Sequence, residues 1–211
     1  MERRDTSQTT IHLVRHGHIM NPDAVYHGRL PGFPLSDKGR AQAAAAAEWL
    51  RERPITAIYC SPMLRTRQTG EIIRDALQPP PPLYVEPLLN EVYSPFDGRS
   101  HEEMAARNWD FYTGVDAPYE QPQDILQRVL VFFDRVREQH EGQQVVGVTH
   151  ADPLAFLWLW AREQPLTPED RKRLDVFGLP DDYPATASIS TFVFGDDRSG
   201  VQPHSEYVRP Y

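Results

Sequence analysis

Hydrophobic positions along this chain repeat with two periods, and the period switches back and forth between strand and helix. Ile11-His12-Leu13-Val14 has strand character and breaks at Gly17, directly after Arg15 and His16. A turn-rich loop follows over 21–35, carrying Pro22, Gly28, Pro31, Gly32 and Pro34. Ser36 then reads as the N-cap of an alanine-rich helix that runs to about Arg51 and is stopped by Pro54. Residues 55–60, I-T-A-I-Y-C, predict a second strand. Ser61-Pro62 predicts an N-cap with proline at the first helical position, opening a helix through Arg65 to about Leu77. The prolines at 79–82 end it, and residues 83–85 form a short third strand.

The second half continues the alternation. Ser100 and Glu103 have the spacing of a capping box before a short helix. The aromatic, irregular stretch over 110–123 has the character of a lid. Residues 123–139 place Ile125, Leu126, Val129, Leu130, Phe132, Phe133 and Val136 on one face of a helix. Residues 144–149 predict a fourth strand, again followed by a histidine, His150. A helix over 153–162, a fifth strand over 187–194 and a turn over 195–200 into a last edge strand complete the chain. Strands that alternate with helices imply a mostly parallel sheet covered on both faces, in one domain spanning 1–211.

Composition narrows the class. With 211 residues, 40% hydrophobic and 25% charged, the chain can bury one full core. The net charge of −8 argues against nucleic acid or an anionic membrane as a partner. The first ten residues lack the apolar core of a signal peptide, and the longest apolar run is too short to span a bilayer. A cytoplasmic protein is expected. The single cysteine, Cys60, lies in a strand and reads as a buried thiol, which excludes an intrachain disulfide framework. The cations are nearly all arginine; the lysines are Lys38 and Lys172.

Two apolar strands that each end in histidine bring the chemistry together. In open α/β sheets ligands bind at the C-terminal edge of the strands. If the strands before His16 and His150 are neighbours, both imidazoles enter one crevice. Arg15 offers a planar donor fork for phosphate or carboxylate oxygens, and Gly17 would let a ligand approach the backbone closely. The helix after Ser61 would bring its N-terminus and Arg65 to the same edge, and Glu91 follows the third strand. Two histidines, two arginines and one carboxylate pack poorly but suit phosphoryl transfer. The alternative for each residue alone is structural: a hydrogen-bonded strand-end histidine, a solvated arginine. His12, His16 and His18 also cluster as metal ligands would. Against that, His12 alternates to the other face and Arg15 would repel a dication.

At this point the residues resemble a known family. L-V-R-H-G at 13–17 is similar to the signature of the histidine phosphatase superfamily, the phosphoglycerate mutase-like group. G-R-L-P-G-F-P-L-S at 28–36, G-R-A-Q-A at 39–43, S-P-M-L-R-T-R-Q-T at 61–69, L-L-N-E at 88–91 with Asp97-Gly98, and V-V-G-V-T-H-A-D-P at 145–153 follow in the family's order. The resemblance implies a three-layer α/β/α sandwich, a small lid over about 92–122, and catalysis with no metal and no cofactor. It implies His16 as nucleophile, Arg15 and Arg65 as phosphate ligands, His150 as the second pocket histidine, Glu91 as proton donor, and Asn21 as a further phosphate contact. His18 stands where many members have glutamate, and Asp152 where the mutases usually have glycine.

The expected activity is hydrolysis of a small phosphorylated substrate through a phosphohistidine. A mutase-type transfer is the runner-up; the short stretch of 92–149, with few basic residues, disfavours enclosure of a polyanionic cofactor. A phospho-ligand or partner-binding module that has lost catalysis is the third reading. A homodimer is compatible with all three.

Overall fold

The computed structural model describes residues 8–195 and 202–211. Six strands form one sheet in the order β3-β2-β4-β1-β5-β6. They are β1 (Thr9–Arg15), β2 (Ile55–Cys60), β3 (Leu83–Val85), β4 (Gln144–Thr149), β5 (Ile189–Phe194) and β6 (His204–Val208). β1 pairs in parallel with β4, β4 with β2, and β2 with β3. β5 is antiparallel to β1, and β6 to β5. The sheet is therefore mostly parallel, as the alternating pattern predicts.

Side chains alternate across β1 and build two separate cores. Ile11 and Leu13 face one way and pack with Tyr59, Leu89, Phe132, Phe133 and Leu157. That layer is covered by α4 (Pro122–Gln139) and α5 (Ala151–Trp160). Val14 faces the other way, with Ala46, Leu50, Ile58, Ile73 and Val148, under α1 (Asp37–Leu50) and α2 (Leu64–Ala76). A third cluster joins α3 (His101–Ala106) and its flanking loops to α5, through Met104, Phe111, Tyr112, Phe156 and Trp158. The result is the expected three-layer sandwich, with this extra cluster beside the strand ends. Buried apolar area of this kind is the main favourable term in folding.

Local signals mark most boundaries. The Ser36 side chain accepts a hydrogen bond from the Gly39 N–H, and Ser100 and Glu103 form a reciprocal capping box. Cys60 is buried and free. Two starts differ. α2 begins at Leu64 rather than at Pro62, although the Ser61 hydroxyl, bonded to His150 at 2.8 Å, also accepts from the Met63 N–H at 3.4 Å. β5 begins at Ile189, because Ala187 turns to φ 55° and donates its N–H to the Arg15 carbonyl at 3.0 Å. β6 forms as an edge strand, but most of the turn predicted before it, and residues 1–7 read against a signal peptide, lie outside the described residues. Among the described residues no helix is long and apolar enough to cross a membrane.

Candidate active site

Adjacency of β1 and β4 brings the two strand-end histidines together. The His16 N–H donates to the Thr149 carbonyl at 3.0 Å, and the His16 and His150 rings lie 5.3 Å apart, centroid to centroid. Both rings are buried. Gly17 is required for packing: a Cβ there would collide with the Gly39 carbonyl, and one on Gly39 with that of His18. Two glycines thus let the start of α1 press against the loop that carries His16.

His16 is set up as a neutral donor–acceptor pair. Its Nδ1–H donates to the Gly17 carbonyl at 2.8 Å, an assignment made from the hydrogen-bond network, and Nε2 keeps its lone pair. Burial, then the charges of Arg65 and Arg15, hold its pKa well below the ordinary value of 6.5. A neutral imidazole with a free Nε2 is the nucleophilic form.

Arg65 lies in the first turn of α2 and is almost wholly buried. One terminal nitrogen donates to the Gly28 carbonyl at 2.8 Å and to His150 Nδ1 at 3.1 Å. The network then puts the His150 proton on Nε2, donating to Ser61 Oγ. Burial, Arg65 and His16 keep His150 neutral by lowering its pKa well below 6.5. Arg15 donates to the Pro184 carbonyl at 2.6 Å. The Nε atoms of both Arg15 and Arg65 are buried without a hydrogen-bond partner. Buried donors on charged groups are costly to leave unpaired, and anionic oxygens would satisfy them.

Glu91 is held by its backbone. Its carbonyl accepts from Arg29 Nε at 2.8 Å and from Arg128 at 3.3 Å, and Glu120 pairs with both arginines. Thr149 Oγ1 donates to the Leu89 carbonyl at 2.8 Å, tying this segment to the end of β4. Glu91 Oε2 lies 3.3 Å from His150 Nδ1 and 3.7 Å from Arg65. Burial raises its pKa despite the opposing charge of Arg65, so desolvation outweighs the ion pair.

Arg15, His16 and Glu91 line a cavity of about 340 Å³. Arg65 and His150 are not among its lining residues but contact Glu91, which is. Asn21 is not brought in: its side chain donates to the Val25 carbonyl at 2.8 Å and accepts from the Val25 N–H at 3.3 Å, so it closes its own loop. His18 is exposed and bonds Ser36 Oγ at 2.8 Å. His12 is a satisfied core histidine, between Thr191 Oγ1 at 2.9 Å and Gln144 Oε1 at 3.1 Å.

These distances, together with the match of residues 11–200 to the histidine phosphatase superfamily (branch 1), decide the family. The chain belongs to the histidine phosphatase superfamily. An uncharacterised protein of Mycobacterium tuberculosis is 33% identical over 198 residues, covering 90% of this chain and 93% of its own. The adenosylcobalamin/alpha-ribazole phosphatase of Salmonella typhimurium is 30% identical over 155 residues, covering 69% of this chain and 75% of its own. Among solved structures, Bacillus stearothermophilus YhfR superposes with a TM-score of 0.74 at 26% identity, covering 93% of this chain and 94% of its own. Mycobacterial glucosyl-3-phosphoglycerate phosphatase reaches 0.75 at 21% identity, covering 96% and 99%, a likeness of fold.

Beyond the motif residues that mark the superfamily, the cavity holds groups that sequence reasoning missed. His27 lies in the loop after β1, its ring 6.1 Å from that of His16. Burial and the charges of Arg65 and Arg15 lower its pKa to about 3. One donor atom each from His16, His27 and Glu91 lie within 4.8 Å of one another, a spacing that could hold a cation. The same two arginine charges that depress both histidines oppose a dication there. Asp152, in the first turn of α5, accepts from Arg171 at 2.8 Å and from the hydroxyls of Tyr112 and Tyr183. Of these only Asp152 stands out in the sequence, where the mutases usually have glycine; His27, Arg171 and Tyr183 reach the cavity only through the path of the loops.

Proposed function

We propose that this protein hydrolyses phosphomonoesters through a phosphohistidine on His16, without a metal. The observation that carries the reading is the state of His16: neutral, its Nδ1–H fixed on the Gly17 carbonyl, beside two guanidiniums whose buried Nε–H groups lack partners.

In the first step Nε2 attacks phosphorus in line, and the bond from phosphorus to the ester oxygen breaks. Arg15 and Arg65 hold the equatorial oxygens as charge builds on them. Glu91, with its raised pKa, donates a proton to the departing oxygen. In the second step the Glu91 carboxylate takes a proton from water, the water oxygen attacks the phosphohistidine, and inorganic phosphate leaves with the His16 lone pair restored. The aromatic segment of about 92–122 is the lid in this reading, since Trp109 and Phe111 line the cavity. The phosphatases among the relatives support the reaction type. A cytoplasmic location fits the single, buried cysteine.

The test is phosphate release from a panel of phosphomonoesters in the presence of EDTA, wild type beside His16→Ala. Turnover by the wild type alone, with an acid-labile phosphoprotein trapped on rapid quenching, is the expected result. Turnover that survives in His16→Ala would remove the nucleophile from the scheme. No turnover by either points to a mutase-type transfer, tested next with phosphoglycerates, or to a phospho-ligand binder.

A further inference from the structure

The wall of the cavity facing His16 is aromatic and rigidly built. Trp109, Phe111, Tyr26 and Tyr183 line it, while Tyr112 is turned away to bond Asp152. Phe111 stacks on Tyr26 with ring centroids 4.6 Å apart. Trp109 is held in an unusual backbone state: it and Asn108 lie at φ 52° and 50°, a region bulky L-residues rarely adopt. The state is fastened from three sides. The Asn108 N–H donates to Ala105 and the Trp109 N–H to Met104, each at 2.8 Å. The Trp109 carbonyl accepts from Arg171, whose other terminal nitrogen is paired with buried Asp152. A strained aromatic residue on the rim of a cavity, clamped by a buried ion pair, is a contact surface rather than loose packing.

The charges around the same wall are already matched. Beyond Arg15, the lining cations are Arg171 and Lys172, and the lining carboxylates away from His16 are Asp152 and Asp182. Arg171 is spent on Asp152 and Trp109. Lys172 Nζ donates to the Asn108 carbonyl at 2.6 Å. By formal count Arg171 and Lys172 are offset by Asp152 and Asp182, so the described residues of this wall carry no net positive charge for a second anionic group. A ring system stacked on Trp109 or Phe111 would gain aromatic contact and apolar burial there.

We propose that the substrate is a phosphomonoester with a flat aromatic or heteroaromatic leaving group that carries no second anionic group, and that Trp109 and Phe111 determine this specificity. The proposal rests on the phosphatase reading above, and the experiment separates the two. kcat/KM is measured for naphthylmethyl phosphate, butyl phosphate and 3-phosphoglycerate, in wild type, Trp109→Ala, Phe111→Leu and His16→Ala. The first two esters share a primary-alcohol leaving group, so chemistry is matched and only the contact surface differs. The wild type favours the naphthylmethyl ester by about tenfold or more. Trp109→Ala and Phe111→Leu each lose about tenfold more on that ester than on butyl phosphate. Equal kcat/KM across the panel, or a preference for 3-phosphoglycerate, overturns the specificity while loss of turnover in His16→Ala keeps the phosphatase reading. If no ester is turned over, calorimetric titration of the wild type with naphthylmethylphosphonate and butylphosphonate decides it. About tenfold tighter binding of the aromatic compound supports the proposal, and equal affinity overturns it. The wild-type comparison stands even where a variant fails to fold.

Discussion

The Nδ1–H of His16 donates to the carbonyl oxygen of Gly17, its own neighbour in the chain, at 2.8 Å. A histidine that spends one nitrogen on its own backbone can present the other in a single orientation. That bond sets the tautomer, and burial beside Arg65 and Arg15 sets the charge. Both follow from the turn at the end of β1.

The pH profile reports this arrangement. The His16 pKa is lowered, so its neutral form persists well below pH 6.5 and is lost only on acidification through the lowered value. Glu91 acts in the opposite sense. Its raised pKa keeps it protonated to a higher pH than an ordinary glutamate, and the acid is lost as pH rises through that value. For an alkyl phosphate, kcat/KM falls as pH rises through the raised Glu91 value, and on the acid side it persists below pH 6.5 until the lowered His16 value is reached. Glu91→Gln removes the alkaline limb and costs more on alkyl phosphates than on p-nitrophenyl phosphate, whose leaving group needs no proton. Equal losses on both esters remove Glu91 from the acid role.

Arg65→Ala lowers kcat by about a hundredfold or more, since a buried charge contact to the transferring phosphoryl group is lost. Arg65→Lys does not restore it. The ammonium cannot reproduce a fork that reaches Gly28 and His150 and still offers Nε to an anion. Steady-state kinetics on folded variants, verified by near-UV circular dichroism, decide this. A lysine variant with wild-type kcat contradicts the geometry.

Gly17→Ala destabilises by about 1–3 kcal/mol and also lowers kcat, because its Cβ meets the Gly39 backbone and must push the His16 loop off α1. Gly195→Ala is the control, since among the described residues a Cβ there meets nothing within 4 Å, and its denaturation midpoint stays near that of the wild type. Urea titrations of the two side by side test the pair.

Acid weakens the fold through buried histidines. His12, whose pKa is lowered to about 4 chiefly by burial, stays neutral in the native state while the unfolded chain binds a proton below pH 6.5. Its contribution is therefore intact above pH 6.5 and is lost progressively as pH falls toward 4, by about 1.4 kcal/mol per pH unit, or ~3 kcal/mol in all. His12→Asn, which keeps a polar group near Thr191 and Gln144, flattens the dependence of unfolding free energy on pH between 6.5 and 4. An unchanged slope places the proton uptake elsewhere, with His16, His27 and His150 as the remaining buried candidates.

What short-range physics controls was legible in the sequence. Capping at Ser36 and Ser100, proline stops, the alternation in Ile11–Val14 and the 3.6-residue period over 123–139 depend on neighbours a few residues apart, and they marked elements within a few residues of where they lie. The ends of β1 and β4 could be read as sites because the histidines sit where the apolar runs stop. Tertiary structure decided the rest. Placing β1 beside β4 is a matter of strand order, and only that puts His16 against His150. Ser61 reads locally as a cap, and its hydroxyl also bonds a histidine 89 positions away, which no local pattern shows. Asn21 reads as a phosphate contact and instead closes a four-residue loop, because its amide meets the Val25 backbone first. His27, Trp109, Asp152, Arg171 and Tyr183 come from five separate stretches of chain. Their meeting depends on loop paths that no local period encodes, and it is there that the cavity acquires its aromatic wall.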